Sequence, residues 1–299
     1  MSINIKDLKI NSYYLVQSNR NGILALKELL ESEYKNAINA STELHSYHYH
    51  KRREMEVLLN LDDFFERFNY YQVNALSGNY KDKGDFFVKA YVDLNRVLTN
   101  FLSSFRLFVD NLEFFFKKEY GKESTEYLSF RNTIQNEFNS KFEYRLIYCL
   151  RNYSQHKGFP INSVGMDNEI DPYTREARST FTVSFDKERF LKDDPQNFRN
   201  VELDFTLYNN TFPVLPQINK IKKSLIVISD ALTSLEKNRI VALSNILLGY
   251  LKLLEGEGEM GFAQFKSSNV GKGIFDSKDI PMNILREVYR DLEGKEPNF

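Results

Sequence analysis

The sequence has no tryptophan, one cysteine and four histidines among 299 residues. A single cysteine, Cys149, excludes an intrachain disulfide framework; within its apolar run it reads as a small buried residue and fits a reducing compartment. Charge of either sign is not in excess: 40 basic residues oppose 41 acidic ones, for a net charge of −1. No global field then draws the chain to nucleic acid or to an anionic membrane, so any RNA site has to be a local patch. Long apolar runs are also missing, and none approaches the roughly 18 residues of a membrane span. The opening Met-Ser-Ile-Asn-Ile-Lys-Asp has no basic segment followed by an apolar one, so secretion is not expected. The chain reads as soluble and cytoplasmic.

Phenylalanine and tyrosine are abundant, with 25 and 18 copies, and most fall at helical spacing, which points to core packing. Residues 1–75 hold long stretches without Gly or Pro, and Leu24, Leu26, Leu29 and Leu30, then Leu58, Leu59, Phe64 and Phe65, predict amphipathic helices. Ser77-Gly78-Asn79 and Lys83-Gly84-Asp85 predict breaks. From Asp93 to Lys118, apolar residues from Leu94 to Phe116 recur at i, i+3, i+4 and i+7, predicting a long core helix that stops at Gly121. A second helix is predicted over about Thr125–Phe138. The segment Ser140-Lys-Phe-Glu143 reads as a capping box opening a third, which carries Phe142, Leu146, Ile147 and Leu150 inward and ends at Gly158 and Pro160.

The composition then shifts. Residues 162–216 are polar and rich in proline, and two alternating segments, Ser179–Phe185 and Val201–Leu207, predict a two-stranded insertion. Helix is expected again over about Gln217–Leu254, then a Gly-rich, charged tail with one short helix near Met282–Leu292.

Chemistry concentrates at Arg151-Asn-Tyr-Ser-Gln-His156. Arginine can hold a phosphate through two parallel hydrogen bonds at any physiological pH, and histidine can exchange a proton near pH 7. On residue types alone, the same pair is accounted for by a surface arginine and a histidine favouring a helix C-terminus. Positions five apart on a helix differ by about 140°, so either the helix unwinds before His156 or the site is completed across a symmetric dimer. Over residues 141–160, Lys141, Arg145, Arg151 and Lys157 oppose only Glu143, a local positive excess. Tyr148 and Tyr153 are candidate base-stacking residues, although helix packing is the simpler account of Tyr148.

The run Phe142-Glu-Tyr-Arg-Leu-Ile-Tyr-Cys-Leu-Arg-Asn-Tyr-Ser-Gln-His-Lys-Gly-Phe-Pro-Ile161 resembles the signature of HEPN domains. Their hallmark is Arg, usually followed by a polar residue, then His after a short spacer. The long helix at 93–118 resembles the one that packs beside that motif. The resemblance implies a mainly α fold with a HEPN-like helical bundle over 85–255; the small β insertion read at about 162–216 and the appendage at 256–299 have no counterpart in the family's minimal bundle, and extra N-terminal helices are expected over 1–84. It also implies a homodimer with its active site at the two-fold interface, acting as a metal-independent endoribonuclease in toxin or phage-defence systems. Arg151 would bind the scissile phosphate, His156 would act as general base or acid, and Asn152 would orient phosphate or histidine. Lys157, Arg145 and Tyr153 would contact RNA, with no cofactor and no membrane. The products would be 2′,3′-cyclic phosphate and 5′-hydroxyl ends. One branch of the family carries a tyrosine two residues after the histidine, modified by an antitoxin partner; Gly158 occupies that position here. HEPN-like bundles also serve as non-catalytic dimerisation or nucleotide-binding modules, which is the alternative.

Two further patterns carry less. Gly256-Glu-Gly-Glu-Met-Gly261 satisfies G-x-G-x-x-G but follows a predicted helix, and its acidic residues would repel a pyrophosphate. His45, His48 and His50 lack a completing carboxylate or cysteine at a recognisable metal spacing, and they read as a solvated helical face beside Lys51, Arg52 and Arg53.

Overall fold

A computed structural model describes residues 3, 7–19, 22–170, 177–253, 258–269 and 272–293. Helices dominate, accompanied by two small antiparallel sheets. In chain order the elements are β1 (Tyr13–Asn19), β2 (Gly22–Leu29), α1 (Glu31–Ser77), α2 (Lys83–Tyr120), α3 (Thr125–Ser140) and α4 (Phe142–His156). There follow β3 (Ser163–Ile170), β4 (Ala177–Asp186), α5 (Lys187–Asp193), α6 (Pro195–Phe198), β5 (Thr211–Pro213), α7 (Val214–Leu251), β6 (Glu259–Asn269), β7 (Lys272–Asp279) and α8 (Met282–Glu293). The chain divides into two compact units, Met1–Lys51 with Thr233–Phe299, and Arg52–Leu232. This division cuts across the segments 1–84, 85–255 and 256–299 expected from the sequence.

In the Arg52–Leu232 unit, the apolar stripe of α2 is buried from Leu94 to Phe116. Phe116 stacks on Phe130 of α3 with ring centroids 4.6 Å apart, and Phe105 meets Tyr144 of α4 edge-on. Each such ring contributes about 2–3 kcal/mol by leaving water. The helix begins ten residues before the periodic stripe. Asp82 accepts from the Asp85 N–H at 2.7 Å, so Lys83-Gly84-Asp85 opens α2 and does not break it. Ser124 caps α3 in the same way, through the Tyr127 N–H.

The expected capping box at Ser140 does not form. Ser140 is the last residue of α3 and its hydroxyl donates back to the Asn136 carbonyl, while Glu143 pairs with Lys220 at 2.6 Å. Only Lys141 separates α3 from α4, too short a joint to leave Ser140 outside a helix.

The insertion is three-stranded, in the order β3-β4-β5. Ser179–Phe185 lies within β4, as its alternation predicted. The second predicted strand, Val201–Leu207, instead forms 3-10 turns at Arg199–Val201 and Asp204–Leu207. Val201 and Phe205, four apart, are buried, whereas Leu203 and Leu207 are more than four-fifths exposed. Helical turns let Phe205 join Phe185, Phe190, Phe198 and Phe212 in an aromatic cluster and bring Asp204 to Arg145. An extended strand would instead place Leu203 and Leu207, which are exposed, on the same face as buried Phe205.

The other unit corrects the prediction at both ends. Residues 22–29 form β2 of a hairpin, not a helix, and the tail contains β6 and β7; together they make one sheet in the order β2-β1-β6-β7. Tyr14, Val16, Ala25, Ala263 and Phe265 form its core. Of the G-x-G-x-x-G run, Gly256 and Glu257 lie outside the described residues. Gly258 has φ +149°, and a Cβ there would meet the Ser18 carbonyl at 2.7 Å, so this glycine serves the close approach of β6 to β1. The short C-terminal helix is present as α8, with Ile284, Leu285, Val288 and Leu292 buried. Among the described residues, no helix is long and apolar enough to cross a membrane.

Candidate functional site

α4 delivers the motif. Phe142, Leu146, Ile147, Leu150 and Tyr153 are buried along its inner face, which fixes the rotation of the helix and turns Asn152, Gln155 and His156 outward. The helix remains continuous through His156. Its end is closed by the Lys157 and Gly158 N–H groups, both donating to the Tyr153 carbonyl, and Gly158 takes φ +153°, a conformation side chains resist. Unwinding before His156, one of the two routes to a converged site, is therefore removed. Arg151 and His156 sit about 140° apart around the axis and about 7.5 Å apart along it.

Beyond the helix the chain is held from two sides. The Arg189 guanidinium donates to the Phe159 and Pro160 carbonyls, each at 2.8 Å. Buried Asn95 of α2 accepts from the Ile161 N–H at 2.9 Å. These contacts anchor the segment that follows His156.

Arg151 is half-buried; its Nη1 donates to Asn152 Oδ1 at 3.2 Å, and its enclosed Nε has no acceptor. Among the described residues no carboxylate pairs with it. The other cations of the local positive excess are differently placed. Lys141 pairs with Glu137 at 2.6 Å, and Arg145 makes a two-point contact with Asp204 at 2.9 and 3.0 Å while also donating to the Phe138 and Asn139 carbonyls. Arg145 thus joins α4 to the insertion through Asp204. The cations left for a ligand are Arg151 and Lys157, with exposed His156 beside the latter.

Tyr153 is enclosed. Its ring is 3 % exposed, packed on Phe190 and Phe198, and its hydroxyl donates to Asp193 at 2.7 Å. Burial first, and then the Asp193 carboxylate, push that phenol up to about 12. A ring so enclosed cannot stack a base. Tyr148 lies under the Arg106 guanidinium at 4.1 Å and shares a hydroxyl contact with Tyr144, so it too packs. Burial raises the Cys149 thiol to about 12, and it donates to the Asn197 carbonyl, which leaves it inert as a nucleophile.

Asn152 is placed differently from the expectation. Its Oδ1 faces Arg151 and its Nδ2 donates to Asn197 Oδ1 at 3.2 Å, so the carboxamide engages the arginine and the insertion. Asn197, Asn95 and Arg189 lie 45, 66 and about 30 residues from the groups they hold. No local spacing could have flagged them.

The three clustered histidines do not form a solvated face. His48 is buried against Glu287 of α8, and His50 is buried with its pKa lowered to about 4 by burial; only His45 is exposed, its Nδ1 on the Ser41 carbonyl. Helix α1 turns two of the three inward, and His48 meets Glu287 of α8, a partner that the local sequence does not show. Among the described residues no three His, Cys, Asp or Glu side chains converge on a metal position. An open cleft of about 480 Å³ is lined by Ser41, Thr42, His45, Lys278, Asp279 and Pro281, none of them part of α4.

In comparisons with known proteins, no family model, no curated protein and no solved structure matches this chain.

Proposed function

We propose that the chain is a metal-independent endoribonuclease of the HEPN type, working as a homodimer in a toxin or phage-defence setting. The observation that carries this reading is the end of α4, where Arg151, with no carboxylate on its guanidinium among the described residues, precedes exposed His156 and Lys157. Such a cation attracts a phosphate, whereas Arg145, already neutralised by Asp204, does not. Because α4 is continuous, one copy aims the arginine and the imidazole apart. Two copies related by a two-fold axis would set two arginines and two histidines around one groove.

In that groove, one His156 takes the proton of the RNA 2′-hydroxyl as its oxygen attacks phosphorus. Arg151 stabilises the charge that develops on the phosphoryl oxygens, and the 5′-oxygen leaves with a proton from the second imidazole. The products are a 2′,3′-cyclic phosphate and a 5′-hydroxyl. DNA lacks the nucleophile and resists.

The test is RNA cleavage in EDTA by wild type, Arg151→Ala and His156→Ala. Cleavage by wild type and a loss of at least about 100-fold in each variant is expected; equal rates in all three would overturn the assignment. One observation favours the second reading, a non-catalytic binding module: Asn152 is tied to Asn197, which ties the motif to the insertion. Under that reading the same variants lose stability or ligand binding, and there is no cleavage to lose.

A further inference from the structure

We infer that Asn197 is a positioning residue for Arg151, acting through Asn152; the inference rests on the nuclease reading only for its catalytic consequence. Four groups form a hydrogen-bond relay that runs in one direction. Asn197 Nδ2 donates to the Cys149 carbonyl at 2.8 Å, which fixes the Asn197 carboxamide so that its Oδ1 faces α4. Asn152 Nδ2 donates to that oxygen at 3.2 Å, which in turn aims Asn152 Oδ1 at Arg151 Nη1, also 3.2 Å away.

Both ends of the relay play one role only. A backbone carbonyl accepts and cannot donate, and a guanidinium donates and cannot accept. Flipping either carboxamide by 180° would set an N–H against Arg151 or an oxygen against the Cys149 carbonyl, so a single orientation satisfies the chain. The relay is seated firmly at its insertion end. The Cys149 thiol donates to the Asn197 carbonyl at 3.0 Å, and neighbouring Phe198 is fully buried in the aromatic cluster. Asn152 and Arg151 lie toward solvent, where without the relay the carboxamide would rotate freely and the guanidinium would lose its directed contact with Asn152.

The inference gives the insertion a function beyond covering α4. It holds the phosphate-binding cation in the orientation that meets the charge developing on the phosphoryl oxygens, which lowers the ordering cost of the transition state. Since the insertion packs on α4 through this residue, movement of α6 would reach Arg151 directly.

The experiment has two parts, on the full chain. In ¹⁵N spectra, Asn197→Ala is expected to move the Arg151 Nε–H resonance and to bring the Asn152 side-chain amide protons to solvent-like shifts, with Arg151→Ala and Asn152→Ala supplying the assignments. Unchanged resonances would overturn the relay whether or not RNA is cleaved. In cleavage assays, Asn197→Ala is expected to lower kcat about tenfold with a smaller change in KM, and to add nothing further in an Asn152→Ala background. Additive losses, or wild-type kcat in Asn197→Ala beside an inactive Arg151→Ala, would overturn the positioning role. Shifted resonances with no cleavage by wild type would instead overturn the nuclease reading and leave the relay standing.

Discussion

His50 is 5 % exposed on α1, and burial lowers its pKa to about 4 from an ordinary value of 6.5. The unfolded chain therefore takes up a proton first as pH falls. The stability that neutral His50 confers is fully present above about pH 6.5 and is lost progressively toward pH 4, by about 3 kcal/mol at the low end. Urea unfolding midpoints at pH 7.5, 5.5 and 4.5 should decline, and His50→Gln should flatten the decline; an equal slope in the variant would assign it to other groups. The same residue shows how position overrides composition. His45, His48 and His50 are interchangeable on paper, yet one is exposed, one is held by Glu287 and one is buried neutral. Arg145 and Arg151 differ likewise, because Asp204 of the insertion reaches the first and no carboxylate among the described residues reaches the second.

At the scale of elements, α2, α3 and α4 were legible because each carries an apolar stripe at helical period, and a stripe that long cannot be buried as a strand. Their ends were less so. Asp82 and Ser124 are the caps in use, whereas Ser140, with the stronger sequence pattern, was absorbed into α3. The end of α4 depends on another element. Asn95 satisfies the Ile161 N–H inside the molecule, so Asn95→Ala leaves that donor buried and unpaired at a cost of about 1–3 kcal/mol. Amide hydrogen exchange should then show residues 158–162 opening before the rest of the unit, while the middle of α2 retains protection. Uniform loss of protection across the unit would show that Asn95 supports the core and not that segment.

For the whole molecule, a composite site makes a prediction that no single-chain site shares. Mixing inactive Arg151→Ala and His156→Ala proteins and allowing subunits to exchange should place about half of the chains in mixed dimers, each holding one arginine and one histidine in the groove. Partial activity should reappear on mixing, above that of either variant and below wild type, because each mixed groove regains an arginine and one imidazole but lacks the second that protonates the leaving 5′-oxygen; no gain despite demonstrated exchange would overturn the two-copy site.

The sequence by itself determined the mainly helical class, the helices that carry the motif and the strand at 179–185. These rest on periodicity and residue chemistry, which are local. Only the tertiary structure decided that residues 22–29 and 259–279 are strands, since β1 and β6 meet across 241 residues at Ser18 and Glu259 and no local pattern encodes such a partner. It alone decided which tyrosine is enclosed, which arginine is neutralised and which asparagine holds the other in place. Burial and pairing are properties of what arrives from elsewhere in the chain, and Asp204, Asn197, Asn95 and Arg189 all arrive from beyond the motif's own helix.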